Sequence, residues 1–239
     1  MIKLFISYFN YFLKDIGYHI IQIPKEKSKT DNRFSSKEIN KILSKLETVK
    51  LHYGCGPRIL KGWINIDLGY TSYHKYMKYY TNKFYPESIR GDKSDFYAFD
   101  VTKAPLPFPE NSVDIIFHED FLEHLDQCGQ ILFLAETLRI LKKGAIHRVN
   151  TPNLLASMKY NSNFSKGFEG VYVDEWKKWH HLNILTPKIL EEMALMVGYS
   201  EVIFNRRDQS IIKEKLPLEY RPDPRDSSED HNMFADLVK

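Results

Sequence analysis

The sequence has only two cysteines, Cys55 and Cys128. Two isolated thiols build neither a disulfide framework nor a CxxC metal site, so a reducing cytoplasm is the expected setting. The chain also lacks an excess of charge: 34 basic side chains against 31 acidic ones leave +3. Nucleic-acid binding by bulk charge needs a stronger positive field, so no nucleic-acid partner is expected. Long hydrophobic runs are missing as well. The opening stretch, Met1 to Leu13, is apolar but carries Ser7 and Asn10 and has no small-residue cleavage site. It falls far short of the ~20 residues of a membrane-spanning helix and does not read as a signal peptide. Two readings of residues 1–20 stay open: a helix packed on the domain, or an interfacial foot placing its aromatics, Lys3 and Lys14 against a membrane surface. Internal repeats and low-complexity tracts are absent too.

What is present suits one folded domain. At 239 residues with 43% hydrophobic side chains the chain can bury a real core, and a second full catalytic domain is not expected. An aromatic share of 14% suggests aromatic-lined surfaces in addition to that core. Residues 1–34 read as an aromatic and basic extension ending in a polar, Lys-rich linker. Residues 35–239 read as the domain.

Within the domain the apolar period switches repeatedly between 3.6 and 2. Ser35-Ser-Lys-Glu38 forms a capping-box pattern ahead of Ile39, Ile42, Leu43 and Leu46 at helical spacing. Val49, Leu51 and Tyr53 then alternate as a strand that stops at Gly54-Cys55-Gly56-Pro57. Further strands are predicted at Trp63–Asp67, Phe96–Val101, Val113–Phe117, Ala145–Asn150, Ser200–Phe204 and Asn232–Val238. Helices are predicted near Tyr70–Tyr85, at Gln130–Leu141 with a stop at Lys142-Lys-Gly144, and at Thr186–Met196 with Gly198 as its cap. Alternating strands and helices imply a parallel sheet with right-handed crossovers. Between Asn153 and Leu185 the pattern lapses, yet the segment holds Tyr160, Phe164, Phe168, Tyr172, Trp176, Trp179, His180 and His181. Residues 153–185 therefore read as a substrate lid, because loops of this length in compact domains are commonly functional.

Ligands of open parallel sheets bind at the carboxyl ends of the strands. Gly54 and Gly56 leave out side chains where a ligand would approach backbone, and Asp67 and Asp100 set acceptors at the tips of the next two strands. Such acceptors suit a ribose diol and an adenine amino group. A dinucleotide fingerprint wants a third glycine and an acid ~20 residues on, and this chain has neither.

The ordered motifs Lys50-Leu-His-Tyr-Gly-Cys-Gly56, Gly62-Trp-Ile-Asn-Ile-Asp67, Asp100 to Asp114, Phe121-Leu-Glu-His-Leu125, Leu138-Arg-Ile-Leu-Lys-Lys-Gly144 and Thr151-Pro-Asn-Leu154 resemble those of small class I S-adenosylmethionine-dependent methyltransferases of the type-11 kind. The resemblance implies a Rossmann-like α/β fold: a seven-stranded, mostly parallel sheet with helices on both faces and an antiparallel last strand. It implies S-adenosylmethionine as cofactor, with Tyr53, Gly54, Cys55 and Gly56 along its methionine part, Asp67 on the ribose, and Asp100 with Val101 at the adenine. His118 and Glu119, just past strand four, would face the sulfonium and the acceptor. The chain departs from the family in leaving only thirteen positions from Gly54 to Asp67, so the usual helix after the glycine turn shrinks to a turn.

Strand four ends in His118-Glu-Asp-Phe121 and not in an Asn-Pro-Pro-aromatic motif, which favours methylation at oxygen of a small molecule or glycan unit over nitrogen. A hydroxyl acceptor calls for a base, and His118, His124 and His181 are the candidate catalytic residues. The histidine spacing offers no zinc pattern, so no metal is expected. The alternative is a non-catalytic partner in a biosynthetic complex that keeps the cofactor fold.

Overall fold

A computed structural model describes residues 33–73, 82–161, 173–219 and 232–239. The membrane-foot reading of residues 1–20 lies outside them, as does most of the helix expected between Tyr70 and Tyr85. Among the described residues no helix is long and apolar enough to cross a membrane.

The first helix, α1 (Ser36–Leu43), starts where the sequence says: the Ser35 hydroxyl accepts from the Glu38 amide and buries Ile39. The reciprocal half of the capping box gives way, because the Glu38 carboxylate accepts from Lys41 at 2.8 Å. Arg33 and Phe34, expected in the linker, belong to the domain. Phe34 is 2% exposed among Tyr97, Phe99 and Phe108, and the Arg33 guanidinium donates to the carbonyl of Phe96.

Seven strands follow as expected: β1 (Lys50–Tyr53), β2 (Ile64–Asp67), β3 (Phe96–Ala98), β4 (Val113–Glu119), β5 (Leu141–Pro152), β6 (Glu201–Asn205) and β7 (Asn232–Val238). They form one sheet in the order β3-β2-β1-β4-β5-β7-β6. The first five run parallel, and β7 is antiparallel to both β5 and β6. The last strand wedges between two earlier ones, so its Met233, Phe234, Ala235 and Leu237 are buried.

Three helices order the carboxyl half. In α2 (Gln127–Ile140) the Asp126 carboxylate caps the amide of Gly129 at 2.7 Å. The expected stop at Lys142-Lys-Gly144 is corrected. Leu141 is already extended, β5 starts there, and the positive φ of Gly144 falls inside that strand. Within the supposed lid, α3 (Leu154–Asn161) and a π-helical stretch (Val173–Lys178) replace the expected irregular chain. The α4 helix (Pro187–Val197) is capped by Thr186 and closed by Gly198 at φ 119°, as its Thr-Pro start and glycine end predict.

Helices α1, α2 and α4 pack on one face of the sheet around Leu51, Tyr53, Ile66, Ile116, Phe133, Leu134, Leu190 and Ala194. On the other face, Leu60, Trp63, Tyr85, Ile115 and Phe117 are covered by turns, with Ile89, Ile212 and Leu216 against them. β1 pairs with β2 on one side and with β4 on the other, so the connection reverses direction between β1 and β4. A crevice at the carboxyl ends of those strands is the expected ligand site.

Candidate functional site

A cleft of about 820 Å³ opens at that reversal. Its volume lies within the ~300–1,000 Å³ typical of small-molecule sites. β1 contributes Tyr53 and Gly54, and β2 contributes Ile66, Asp67 and Leu68. The segment after β3 gives Phe99, Asp100, Val101 and Thr102. The turn after β4 gives Asp120, Phe121, His124, Leu125 and Asp126, and α2 adds Gly129 and Leu132. The walls hold four carboxylates and neither lysine nor arginine. That balance suits a ligand with hydroxyls and positive charge and leaves a pyrophosphate without a counter-charge.

The glycine turn builds the first wall. Gly54 has φ +57°, and a Cβ there would stand 2.6 Å from the Phe121 side chain, so only glycine fits. The next turn residue orients the acid of β2: the Gly56 amide donates to Asp67 Oδ2 at 2.8 Å, and the Leu68 amide to Oδ1 at 2.6 Å. Each carboxylate oxygen keeps a second acceptor site for a ligand hydroxyl. Asp100 is fixed likewise by the Thr102 amide at 3.0 Å and hydroxyl at 2.6 Å. Burial alone would raise its carboxyl, but the Thr102 donors and Lys103 outweigh that and hold it below the usual carboxylate range.

Six of the residues expected at the site therefore meet around one cleft: Tyr53, Gly54, Asp67, Asp100, Val101 and His124. Cys55 and Gly56 support it from behind. Cys55 is 3% exposed between Ile59 and Phe96, and burial followed by Asp67 pushes its thiol well above the ordinary range. The expectation that His118 and Glu119 lie past strand four is corrected, and neither is among the residues that line the cleft. β4 runs through both, two residues beyond its apolar run. Strand alternation then turns His118 under α2, against Phe121, Phe133 and His147. Glu119 goes to the opposite face, where it pairs with the buried Arg58.

The structure adds a cluster that chain spacing concealed. Glu123, His124 and His181 bring one ligand-type atom each within 4.8 Å of one another. His124 lines the cleft; His181 stands behind it, ring centroids 5.0 Å apart. The pairing rests on backbone: the amides of Leu182 and Asn183 donate to the Glu123 carbonyl at 2.8 and 3.2 Å. Thr151 donates to Glu123 Oε2 at 2.8 Å, and His181 Nδ1 lies 2.9 Å from Glu175 Oε2. Burial, then the neighbouring His181, keeps the His124 imidazole below its ordinary pKa. Leu182 reaches the cleft wall from the end of the expected lid. Glu123 and Glu175 had no individual signal in the sequence, since glutamate on a polar face is ordinary; the Glu123-His124 pair stands out only within the Phe121–Leu125 motif.

A model of a family described as a methyltransferase domain matches residues 51–149. No curated protein matches the chain. Among solved structures, a SAM dependent methyltransferase from Archaeoglobus fulgidus is 15% identical, with 96% of this chain and 99% of that one covered at a TM-score of 0.48. An S-adenosylmethionine dependent methyltransferase from Mesorhizobium loti is 9% identical, with 86% and 98% covered at 0.49. A phosphoethanolamine N-methyltransferase from Haemonchus contortus is 15% identical, with 85% and 52% covered at 0.43. Likenesses this loose say nothing of the acceptor.

Proposed function

We propose that this chain, a class I S-adenosylmethionine-dependent methyltransferase through its domain at residues 51–149, methylates an oxygen of a small molecule or glycan unit. The observation that carries the oxygen assignment is the Glu123, His124 and His181 cluster at the rim of a cleft whose walls are otherwise acidic and apolar. When bound, S-adenosylmethionine supplies an electrophilic methyl group on a positively charged sulfur.

Asp67 accepts from the ribose hydroxyls, its carboxylate oriented by Gly56 and Leu68. Asp100 and Val101 meet the adenine, with Phe99, Ile66 and Leu132 as apolar walls. Tyr53 and Gly54 run along the methionine part. The four wall carboxylates favour a cation over its neutral product. In-line displacement needs alignment and exclusion of water more than covalent help, and Phe121 and Leu182 give the cleft apolar lining that does not hold water. A hydroxyl acceptor sheds its proton as its oxygen attacks, and the histidine cluster is placed to assist. Residues 153–185 govern the acceptor, because His181 and Leu182 reach the site from beyond the cofactor motifs.

The test incubates the full chain with methyl-labelled S-adenosylmethionine and separate panels of phenols, monosaccharides and primary amines, alongside calorimetry with S-adenosylhomocysteine. Label on hydroxyl acceptors supports the reading. Label confined to amines overturns the oxygen assignment, and absence of S-adenosylhomocysteine binding overturns the assignment of the cleft.

A further inference from the structure

We infer that Glu123, His124 and His181 bind a divalent first-row transition ion at the acceptor side of the cleft. The inference deepens the oxygen-methylation reading, on which the ion's catalytic part rests. The binding itself stands on geometry.

Glu175 settles the tautomer of His181. A carboxylate only accepts, so the 2.9 Å contact between Glu175 Oε2 and His181 Nδ1 makes Nδ1 the donor, and in the neutral ring, the form that ligates a metal, the lone pair is on Nε2. That nitrogen lies 3.8 Å from Glu123 Oε1. Two acceptors face each other at a separation too long for a hydrogen bond. A cation between the two atoms would satisfy both. Two ligand atoms that each sit ~2.1 Å from one ion lie at most ~4 Å apart, and 3.8 Å falls inside that limit. The third ligand atom, on His124, lies within 4.8 Å of the others, so binding draws that ring inward by a fraction of an ångström to about one ångström.

The surroundings are built for it. Carboxylate, imidazole and metal in line is the usual way a histidine ligand is oriented, and here Glu175 supplies the carboxylate while Ser157 donates to its other oxygen. Thr151 occupies Glu123 Oε2 at 2.8 Å and so turns Oε1 toward His181. From the cavity side the charges of Asp120 and Asp67 act on His124, adding negative potential where the ion would sit. Two imidazoles and one carboxylate select manganese, iron, cobalt or zinc over the oxygen-loving magnesium and calcium. Three protein ligands leave open positions, and His124 places them on the cleft.

The chemistry follows from that placement. A hydroxyl on the open side of a divalent ion loses its proton to solvent far more readily than a free one. The freed oxygen pair forms the new bond to the methyl carbon while the carbon–sulfur bond breaks, its electrons neutralising the sulfonium. The ion's oxidation state does not change.

The full chain, stripped with a chelator and freed of it, is titrated separately with Mn2+, Co2+ and Zn2+ in the absence of cofactor and acceptor. Calorimetry, Mn2+ paramagnetic resonance and the Co2+ visible spectrum report binding. One ion per chain is expected, with affinity lowered at least tenfold in the exposed-site variant His124→Ala and in His181→Ala, and about 10–100-fold in Glu175→Gln, a positioning change that leaves all three ligands in place. The site is refuted if the wild type binds none of the three ions saturably, or if His124→Ala and His181→Ala both bind as the wild type does. Hydroxyl methylation at full rate in chelator would leave the oxygen assignment standing and remove the ion from it. Metal binding without hydroxyl methylation would do the reverse.

Discussion

Acidification from about pH 7.5 to pH 5 should cost this fold several kcal/mol, through three histidines that the site does not use. His52, His118 and His147 are at most 2% exposed. Burial, with Arg58 adding for His52, pulls the imidazoles of His52 and His118 down to about 3, and burial followed by His118 takes His147 well below the ordinary value. A lowered folded value means that the unfolded chain binds more protons below its own value of 6.5. Stability is therefore complete above about pH 6.5 and falls as the pH drops toward 3. At pH 5 the folded rings are still neutral, so the loss is set by the unfolded imidazole, 1.5 pH units above, at about 2 kcal/mol per ring. Three rings give roughly 6 kcal/mol, a large part of a typical domain's ~5–15 kcal/mol. For a chain this long that lowers Tm by roughly 12–24 °C.

Urea denaturation in the presence of chelator, at steps between pH 7.5 and 5, measures the effect, and His118→Phe sharpens it. Among the described residues neither ring nitrogen of His118 has a hydrogen-bond partner, and its neighbours Phe121 and Phe133 are aromatic. A phenyl ring there should be neutral or stabilising at pH 7.5 and should remove about 2 kcal/mol of the loss at pH 5. Stability that stays flat across the window, or a His118→Phe variant with the wild-type slope, would refute the argument. Asp100 and Glu136, held below their usual values, give up their contribution mainly as the pH falls below this window, toward and beneath the unfolded carboxylate values.

Three further outcomes test the cleft. Asp67→Ala should weaken S-adenosylhomocysteine binding by about 1–3 kcal/mol in calorimetry, the scale of lost hydrogen bonds to a charged acceptor. Gly54→Val should abolish that binding, because its Cβ would meet Phe121 at 2.6 Å on a backbone with φ +57°; thermal melts should show a smaller loss of stability than of affinity. Trp179→Ala, at a side chain 47% exposed, should leave Tm within about 2 °C and S-adenosylhomocysteine affinity within about 1 kcal/mol while slowing methyl transfer, if residues 153–185 serve the acceptor.

How far the sequence carried depended on the range of the interactions involved. Strands and helices whose start and stop are set by neighbours in the chain were legible: Ser35 and Thr186 as caps, Gly198 as a left-handed end, the acids after β2 and β3. Lys142-Lys-Gly144 misled because it has the composition of a helix stop. Pairing of Leu141 with Val113 across the sheet overrode that local preference and started β5 at once. His118 misled for a related reason: counting apolar residues ends β4 at Phe117, whereas its ladder to β5 continues to Glu119 and Asn150, and two extra residues convert a rim histidine into a core one.

The cluster of Glu123, His124 and His181 was illegible for a deeper reason, since fifty-six positions separate His124 from His181 along the chain. The docking of the 180–183 turn onto the Glu123 carbonyl, clasped by the side chains of Gln130 and Asn183, brings them together, and backbone hydrogen bonds leave no residue-type signature. Their local residues were in view, in the Phe121–Leu125 motif and in the aromatic segment ending at His181, but as two separate features. The same docking ties the turn after β4 to residues 180–183. Leu182 on the cleft wall and His181 behind His124 are held there by the amides of Leu182 and Asn183 on the Glu123 carbonyl, by the His181 amide on the Glu175 carbonyl and by Gln130 on Asn183.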